Sequence, residues 1–356
     1  MRTAMNAEGT ESQGRRTDTK IKCVVWDLDN TVWDGILSEA GADQLRPGVR
    51  AVIEQLDDRG ILHSIASRNE HDLAMARLSA LGVGEYFLYP QISWGAKSTA
   101  IARIAEELNI ATNTIAFIDD DPFERDEVAS QHPDVLCIDA ADASGVSELA
   151  RMQPRFVTTD AATRREKYRA EIQRQETAEG MAPGEFLRSL NMVFTIEEAG
   201  PSDLERLEEL TVRTNQLNST GLTYTFTDLE AFRESPDHLL LVASLDDRYG
   251  AYGKIGIAVV DRSHDEWRVL LLLMSCRVMS RGVGKVLLSH VLQLAADEHH
   301  RIVADFVHTP SNRAMFITLK LAGFTSVEGE GEPLRLIHDL SAIDAVPDYI
   351  DLRIIA

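Results

Sequence analysis

Apolar and polar blocks alternate along the first 140 positions in a rhythm that predicts strands and helices in turn. Residues 21–29 (IKCVVWDLD) form an apolar run ending in acids, the pattern of a buried parallel strand whose tip carries polar chemistry. The short stretch WDGILSEAG then suits a hairpin flap. From Pro47 to Arg59 the apolar residues Val49, Val52, Ile53 and Leu56 share one helical face. Proline sits at the start and Gly60 at the stop. The rhythm continues with strands at 61–67, 86–93, 114–119 and 134–138 and helices at 70–81, 96–109 and 122–131. Such alternation implies right-handed crossovers and a doubly wound parallel sheet, with any ligand outside the carboxyl ends of the strands.

A charged connector with helical pattern covers 151–190 and contains TRREKYRAEIQRQETAEG. A second domain, 191–345, follows. It has a strand at 192–197, helices at 201–215 and 228–235, and strands at 238–246, 253–261 and 267–275. A helix at 283–297, a strand at 301–307, a helix at 311–322 and a last strand at 334–338 complete it. An antiparallel run of strands, then a helix, then another strand resembles the α+β fold of GNAT acyltransferases. Residues 1–18 are polar and read as a disordered tail, leaving 19–150 for the first domain.

Composition narrows the function. With 44% hydrophobic and 26% charged residues the 356-residue chain is globular, and its length suits two domains. A net charge of −21 argues against nucleic acid as the main partner, because neutralising phosphates needs a basic surface. No apolar stretch reaches the roughly 18 residues of a membrane span. Cys23, Cys137 and Cys276 form a sparse, odd set without metal spacing, which suits a reducing cytoplasm rather than a disulfide framework. Cys23 and Cys137 lie in apolar strands and read as core residues.

Asp27-Leu28-Asp29-Asn30-Thr31 stands at a strand tip. Alternate residues of a strand share a face, so Asp27 and Asp29 can work together, one as nucleophile and one as acid or base. Crowded carboxylates need a cation, and Mg²⁺ takes carboxylate, water and phosphate oxygens. Ser67 ends the next strand, Lys97 opens a helix, and Asp119 and Asp120 end a fourth strand in FIDDDP. This ordered series resembles the four motifs of the haloacid dehalogenase superfamily, whose first motif is DxDxT. The fold class expected is therefore an α/β haloacid dehalogenase-like (Rossmannoid) domain followed by a GNAT-like α+β domain. The resemblance implies that Asp27 attacks phosphorus and Asp29 shuttles the proton. By the same resemblance Asp27, Asp29, Asp119 and Asp120 are the expected metal set, with Asp120 a direct ligand, and Thr31, Ser67, Arg68, Asn69 and Lys97 the expected phosphate contacts. Only 29 residues separate Ser67 from Lys97, and the segment before Ser67 is equally short. Neither leaves room for a large cap domain, so the site is expected to be open or closed by the second domain. An open site suits a carrier-bound substrate.

In the second domain, Arg281-Gly282-Val283-Gly284 resembles a pyrophosphate loop at a helix N-terminus. Val286, however, stands where that pattern wants glycine or alanine. Cys276 ends a strand beside Arg277 and before a helix, where a cation and a helix N-terminus favour the thiolate. The segments WDLDNTVWDGILSE, FIDDDPFER, RTNQLN, DRYGAYGKIGIA, SCRVMSRGV and LAGF, in this order over roughly residues 20–340, resemble the FkbH-like family. That family is associated with forming glyceryl-acyl carrier protein from 1,3-bisphosphoglycerate for polyketide-type assembly. The resemblance implies an acyl-carrying cysteine at Cys276 and, as partner, a carrier protein with a phosphopantetheine arm. Asn215, Gln216, Asn218, Arg277 and Arg281 are candidate substrate contacts, and His308 a candidate base for the incoming thiol. The segment 307–324 lacks the aromatic-rich ending usual in the family. Two rivals remain: a phosphatase fused to a coenzyme A-dependent acyltransferase, and a non-catalytic carrier-docking module.

Overall fold

The computed structural model describes residues 19–39, 42–154, 156–326 and 333–355; the tail expected at 1–18 lies outside them. The chain divides into two compact units, Met1–Arg169 and Ala170–Ala356.

The first unit is built on a five-stranded parallel sheet in the order β3-β2-β1-β4-β5. Its strands are β1 (Cys23–Trp26), β2 (Leu62–Ser67), β3 (Gln91–Ile92), β4 (Ile115–Asp119) and β5 (Leu136–Asp139). Helices α1 (Val49–Asp58), α2 (His71–Ala80), α3 (Lys97–Glu107) and α4 (Pro122–Gln131) alternate with them. Val49, Val52, Ile53 and Leu56 of α1 are buried as their spacing predicts. The helix begins at Val49 rather than Pro47, because Gly48 at its N-cap takes φ +84°. At Gly60 (φ +70°) an added Cβ would lie 2.6 Å from Arg164 Nη1 and 2.7 Å from the Ala161 carbonyl oxygen, so the stop tolerates only glycine.

The structure corrects two expectations. Residues 86–93 do not form one strand. Gly84–Tyr86 is a 3-10 turn, Phe87 makes an isolated parallel bridge to His63 of β2, Tyr89 sits at φ +49°, and the strand proper is only Gln91–Ile92. Pro90 lacks the N–H a continuous strand would need. The stretch after Asp29 is a series of turns with isolated bridges, Asp29 to Trp33 and Trp33 to Leu45, rather than a hairpin.

Between the two sheets in sequence come α5 (Thr159–Ala162), α6 (Arg164–Ala178) and α7 (Pro183–Ser189). The second unit holds an eight-stranded sheet in the order β11-β12-β10-β9-β8-β7-β6-β13. Its elements in chain order are β6 (Met192–Glu198), α8 (Leu204–Arg213), α9 (Phe226–Glu234), β7 (His238–Asp247), β8 (Gly250–Asp261), β9 (Glu266–Met274), α10 (Val283–Asp297), β10 (Arg301–Phe306), α11 (Arg313–Leu321), β11 (Thr325–Ser326), β12 (Leu334–His338) and β13 (Ile350–Ile355). Strands β6 to β9 are antiparallel, β10 runs parallel to β9, and β12 returns antiparallel. This is the order expected from the sequence, an antiparallel run of strands, then a helix, then another strand. Beyond the expected last strand at 334–338, β13 adds to the sheet, parallel to β6.

Period-two burial explains why this sheet carries helices on both faces. Leu239, Leu241, Ala243 and Leu245 of β7 join one core with α10 and α11, whereas Leu240 and Val242 join another with α8. A register shift between Val259 and Val260 reverses the alternation along β9. Trp267 and Val269 share one core, Leu271 lies in the other, and Leu272 is back in the first. Among the described residues, no helix is long and apolar enough to cross a membrane.

Candidate functional sites

In the first unit the candidate residues gather where the parallel strands end. Asp27 follows β1, Ser67 closes β2, Lys97 opens α3 and Asp119 closes β4. All four are buried. Lys97 Nζ donates to Asp27 Oδ1 at 2.7 Å and to Asp119 Oδ2 at 2.5 Å, so one ammonium bridges two carboxylates. Burial is the largest influence on Asp27 and pushes its carboxyl up to about 7, against the pull of Lys97. Burial likewise raises Asp119. For Lys97, burial disfavours the charge, but Asp27 and Asp119 together hold it above the usual lysine range.

Asp27, Asp119 and the exposed Asp120 each place a carboxylate oxygen within 4.8 Å of the others. Three carboxylates against one ammonium leave an uncompensated negative charge in a largely buried place. A hard divalent cation suits both that charge and an all-oxygen donor set.

Asp29 is not in this cluster, which departs from the four-acid metal set expected. Its Oδ1 accepts from Trp33 Nε1 (2.8 Å) and from the Leu37 backbone N–H (3.0 Å), and its Oδ2 from Asn69 Nδ2 (3.0 Å). Those three donors fix the carboxylate beside the strand tip and suit a proton-handling role better than metal ligation. Asn69 also lies 3.4 Å from Ser67 Oγ. Arg68 is half held, pairing with the buried Glu124 at 3.0 Å. Thr31 is buried, and its hydroxyl has no partner among the described residues.

Several contributors were not foreseen. Trp33 orients Asp29, and its signal was an aromatic N–H donor close behind the acid pair. Arg125 donates to the Asp119 carbonyl (2.7 Å) and to Asp139 (2.6 Å), steadying the end of β4. Glu127 receives both the backbone N–H (3.1 Å) and the hydroxyl of Ser98, the residue after Lys97.

In the second unit Cys276 is a free, half-buried thiol opening the 3-10 turn Cys276–Arg281, with Ser275 between it and the end of β9. Gly282 (φ +80°) separates that turn from α10. An added Cβ at Gly282 would lie 2.9 Å from the Tyr349 hydroxyl. Arg281 is buried, and its guanidinium donates to Glu171 (2.8 Å), to the Tyr252 hydroxyl (3.4 Å) and to Ser280 Oγ (3.3 Å). An anion role for Arg281 is thus at odds with its contacts. Arg277 donates to the Tyr252 carbonyl at 3.1 Å.

Asn218 is buried and occupied with its own turn. Its Oδ1 accepts from the Thr220 and Gly221 N–H groups and its Nδ2 donates to the Leu222 carbonyl. Asn215 is exposed and Gln216 half-buried. The segment around them lies between β9 and β10 where these strands part. Met274 N–H donates to the Leu217 carbonyl, Ser219 N–H to the Leu272 carbonyl, and Val307 N–H to the Ser219 carbonyl. Asn312 Nδ2 closes this join on the Asn218 and Val307 carbonyls. His308 is exposed at the exit of β10, packed edge-on against Phe306 and tilted against Phe316.

Residues 35–124 match the haloacid dehalogenase-like hydrolase family, a span containing Ser67, Lys97, Asp119 and Asp120. Among solved structures, the phosphatase-containing N-terminal part of protein BF1531 from Bacteroides fragilis, complexed with Mg, is 24% identical with a TM-score of 0.35. The likeness covers 39% of this chain and 42% of that one, so this chain spans about two-fifths of the length of that solved N-terminal part. The ribosomal-protein-S18-alanine N-acetyltransferase of Escherichia coli is 14% identical over 40% of this chain and 90% of its own, with a TM-score of 0.32. Ard1 from Thermoplasma volcanium is 22% identical over 40% of this chain and 94% of its own, with a TM-score of 0.31. No curated protein matches the chain.

Proposed function

We propose that the chain is a bifunctional phosphatase and glyceryltransferase. It takes 1,3-bisphosphoglycerate, carries the glyceryl group as a thioester on Cys276, removes the remaining phosphate, and delivers the group to the phosphopantetheine thiol of an acyl carrier protein. The observation that carries the phosphatase half is the Lys97 bridge between Asp27 and Asp119 with Asp120 alongside. Asp27 Oδ attacks the phosphorus of the ester, and the bond from phosphorus to the sugar-acid oxygen breaks. Asp29 gives that oxygen its proton, and then takes one from the water that hydrolyses the aspartyl-phosphate. Lys97 holds Asp27 in line and offsets charge on the phosphoryl oxygens. Mg²⁺ held by Asp27, Asp119 and Asp120 would supply further neutralisation of that charge.

In the acyl half, the Cys276 sulfur attacks the acyl-phosphate carbon and inorganic phosphate leaves. The carrier thiol later attacks the same carbon and Cys276 departs. One thioester replaces another, so orientation supplies much of the rate. A free thiol with this task suits a reducing compartment, in keeping with a cytoplasmic location.

The rival with coenzyme A as acyl donor is disfavoured at the one place where coenzyme A differs from a carrier's arm, its pyrophosphate. The approach to Gly282, in the turn that would cradle that group, is shared with the Tyr349 hydroxyl.

Intact-protein mass spectrometry after mixing with Mg²⁺ and fresh 1,3-bisphosphoglycerate tests the proposal. A glyceryl adduct is expected on the wild type, none on Cys276→Ala, and a phosphoglyceryl adduct on Asp27→Asn. A wild type that gains no adduct, together with saturable coenzyme A binding, would transfer the function to the rival.

A further inference from the structure

Two segments of the second unit, DRYGAYGKIGIA and SCRVMSRGV, carry more charge and aromatic surface than a strand and a turn require. The chemistry above uses only Cys276 of them. Their contacts form a closed circuit. Asp247, at the end of β7 with its side chain fully buried, accepts from Arg174 Nε (2.7 Å) and Nη2 (2.8 Å). The Tyr252 hydroxyl donates to Asp247 Oδ2 (3.2 Å) and accepts from Arg281 Nε (3.4 Å). Arg281 Nη2 reaches Glu171 (2.8 Å), and Glu171 returns to Arg174 (3.4 Å). The Arg174 guanidinium also stacks 4.0 Å from the centre of the Tyr252 ring. Two arginines and two carboxylates thus close a neutral ring through one buried phenol.

Apolar side chains would fill such a place without the cost of stripping water from four charges, so this ring contributes fixed geometry more than stability. Its fixed point is Tyr252. The Tyr252 carbonyl takes Arg277, directly after Cys276, and its hydroxyl takes Arg281, the last residue of the same turn. The residue before the thiol is tied as well, Ser275 N–H donating to the Ile255 carbonyl at 2.7 Å. Every nitrogen of the Arg281 guanidinium is engaged within the protein.

We propose that Tyr252 is the positioning residue for the Cys276 thiol. The ring of Asp247, Arg174, Glu171 and Arg281 holds Tyr252, and through it both ends of the turn that presents the thiol. The arginines of SCRVMSR then act as anchors of that turn. The inference rests on Cys276 being the acyl carrier, yet its test does not depend on acyl loading alone. A thiol held at the right place and angle reacts faster without binding substrate more tightly.

Full-length Tyr252→Phe keeps the ring system and loses only the hydroxyl. It is expected to load Cys276 from 1,3-bisphosphoglycerate at least tenfold more slowly at saturation, with the half-saturating concentration unchanged. Iodoacetamide should alkylate Cys276 with an altered pH profile, while turnover of 4-nitrophenyl phosphate at the Asp27 site stays at the wild-type rate. Arg281→Lys, which loses the guanidinium fork, should match it, and the double variant should be no slower than the slower single one. Wild-type loading and alkylation in Tyr252→Phe would overturn the proposal. So would a raised half-saturating concentration in Arg281→Lys at an unchanged maximal rate, since that would make Arg281 a substrate ligand. Should the wild type never acquire a glyceryl adduct, the acyl reading falls, and the alkylation profiles alone still decide whether Tyr252 governs the thiol. If Tyr252→Phe fails to fold by circular dichroism, Arg281→Lys carries the decision.

Discussion

Two buried residues of the first unit set opposite pH dependences. His63 is fully buried, its Nδ1 accepting from Trp26 Nε1 (3.0 Å) and its Nε2 donating to the Ile53 carbonyl (3.1 Å). Burial pushes its pKa down to about 3 from the usual 6.5. A depressed folded-state value means the stability is whole above pH 6.5 and is lost as pH falls towards 3, at about 1.4 kcal/mol per pH unit. Asp27 is raised to about 7 from 3.8, so its burial costs stability above pH 7 and that cost disappears as pH falls to 3.8. The two slopes oppose each other across pH 4–6.5 in metal-free buffer. Urea unfolding of Asp27→Asn should steepen the rise of stability with pH, since one opposing group is gone, and adding His63→Gln should make that rise shallower. An unchanged slope in the double variant would show that another group titrates. Lys97→Met removes the one cation between two buried carboxylates. It should lower phosphatase turnover by at least a hundredfold and destabilise the metal-free protein by roughly 3–5 kcal/mol, both read on the same preparation.

At the scale of elements, the start of α3 is the most exposed to error, because Lys97 is its first residue and Ala96 at the N-cap provides no side-chain acceptor. Glu127 of α4 does that work from outside, and His132 Nε2 meets the Ser98 carbonyl at 3.0 Å. Glu127→Ala should therefore cost about 1 kcal/mol, as lost caps do, and lower kcat several-fold with KM little changed, while Glu127→Gln recovers most of both. A Glu127→Ala enzyme with wild-type kcat would place the control of Lys97 elsewhere. Contacts of this kind explain what can be read from the sequence. Strands ending at Ser67 and Asp119, and α4 from Pro122 to Gln131, are legible there because proline, glycine and periodicity act locally. Glu127 is not legible, since its partner lies 29 positions away and its own helix gives no sign of it. Nor is β13, whose pairing with β6 joins the two ends of the second unit. Asn218 reads as a site residue because amides suit a hydroxylated ligand, yet the turn at 218–222 uses both ends of its amide.

For the molecule as a whole, the proposed carrier partner needs a physical handle, and the exposed apolar residues of the first unit offer one. In a parallel sheet the loops leaving each strand crowd one edge. Here the exits of β3, β2, β1 and β4, four neighbours in the sheet, present Trp94 (77% exposed), Leu73 (61%), Ile36 (39%) and Phe123 (68%) in turn. Leu149 and Val157 are the other large exposed apolar residues among the described part of this unit, and they lie elsewhere in its sequence. A small phosphorylated acid has no use for apolar side chains exposed on the segments that follow these strands, whereas a protein presenting its phosphorylated group on a long arm has a use for them. Trp94→Ser combined with Phe123→Ser should therefore raise KM about tenfold for a phosphoglyceryl group on a holo carrier protein. It should leave phosphoglyceryl-pantetheine and 4-nitrophenyl phosphate untouched. Equal losses on all three substrates would mean these side chains shape the catalytic floor itself. No loss on any would mean the carrier docks away from this edge, while the phosphatase chemistry of Asp27 would stand in both cases.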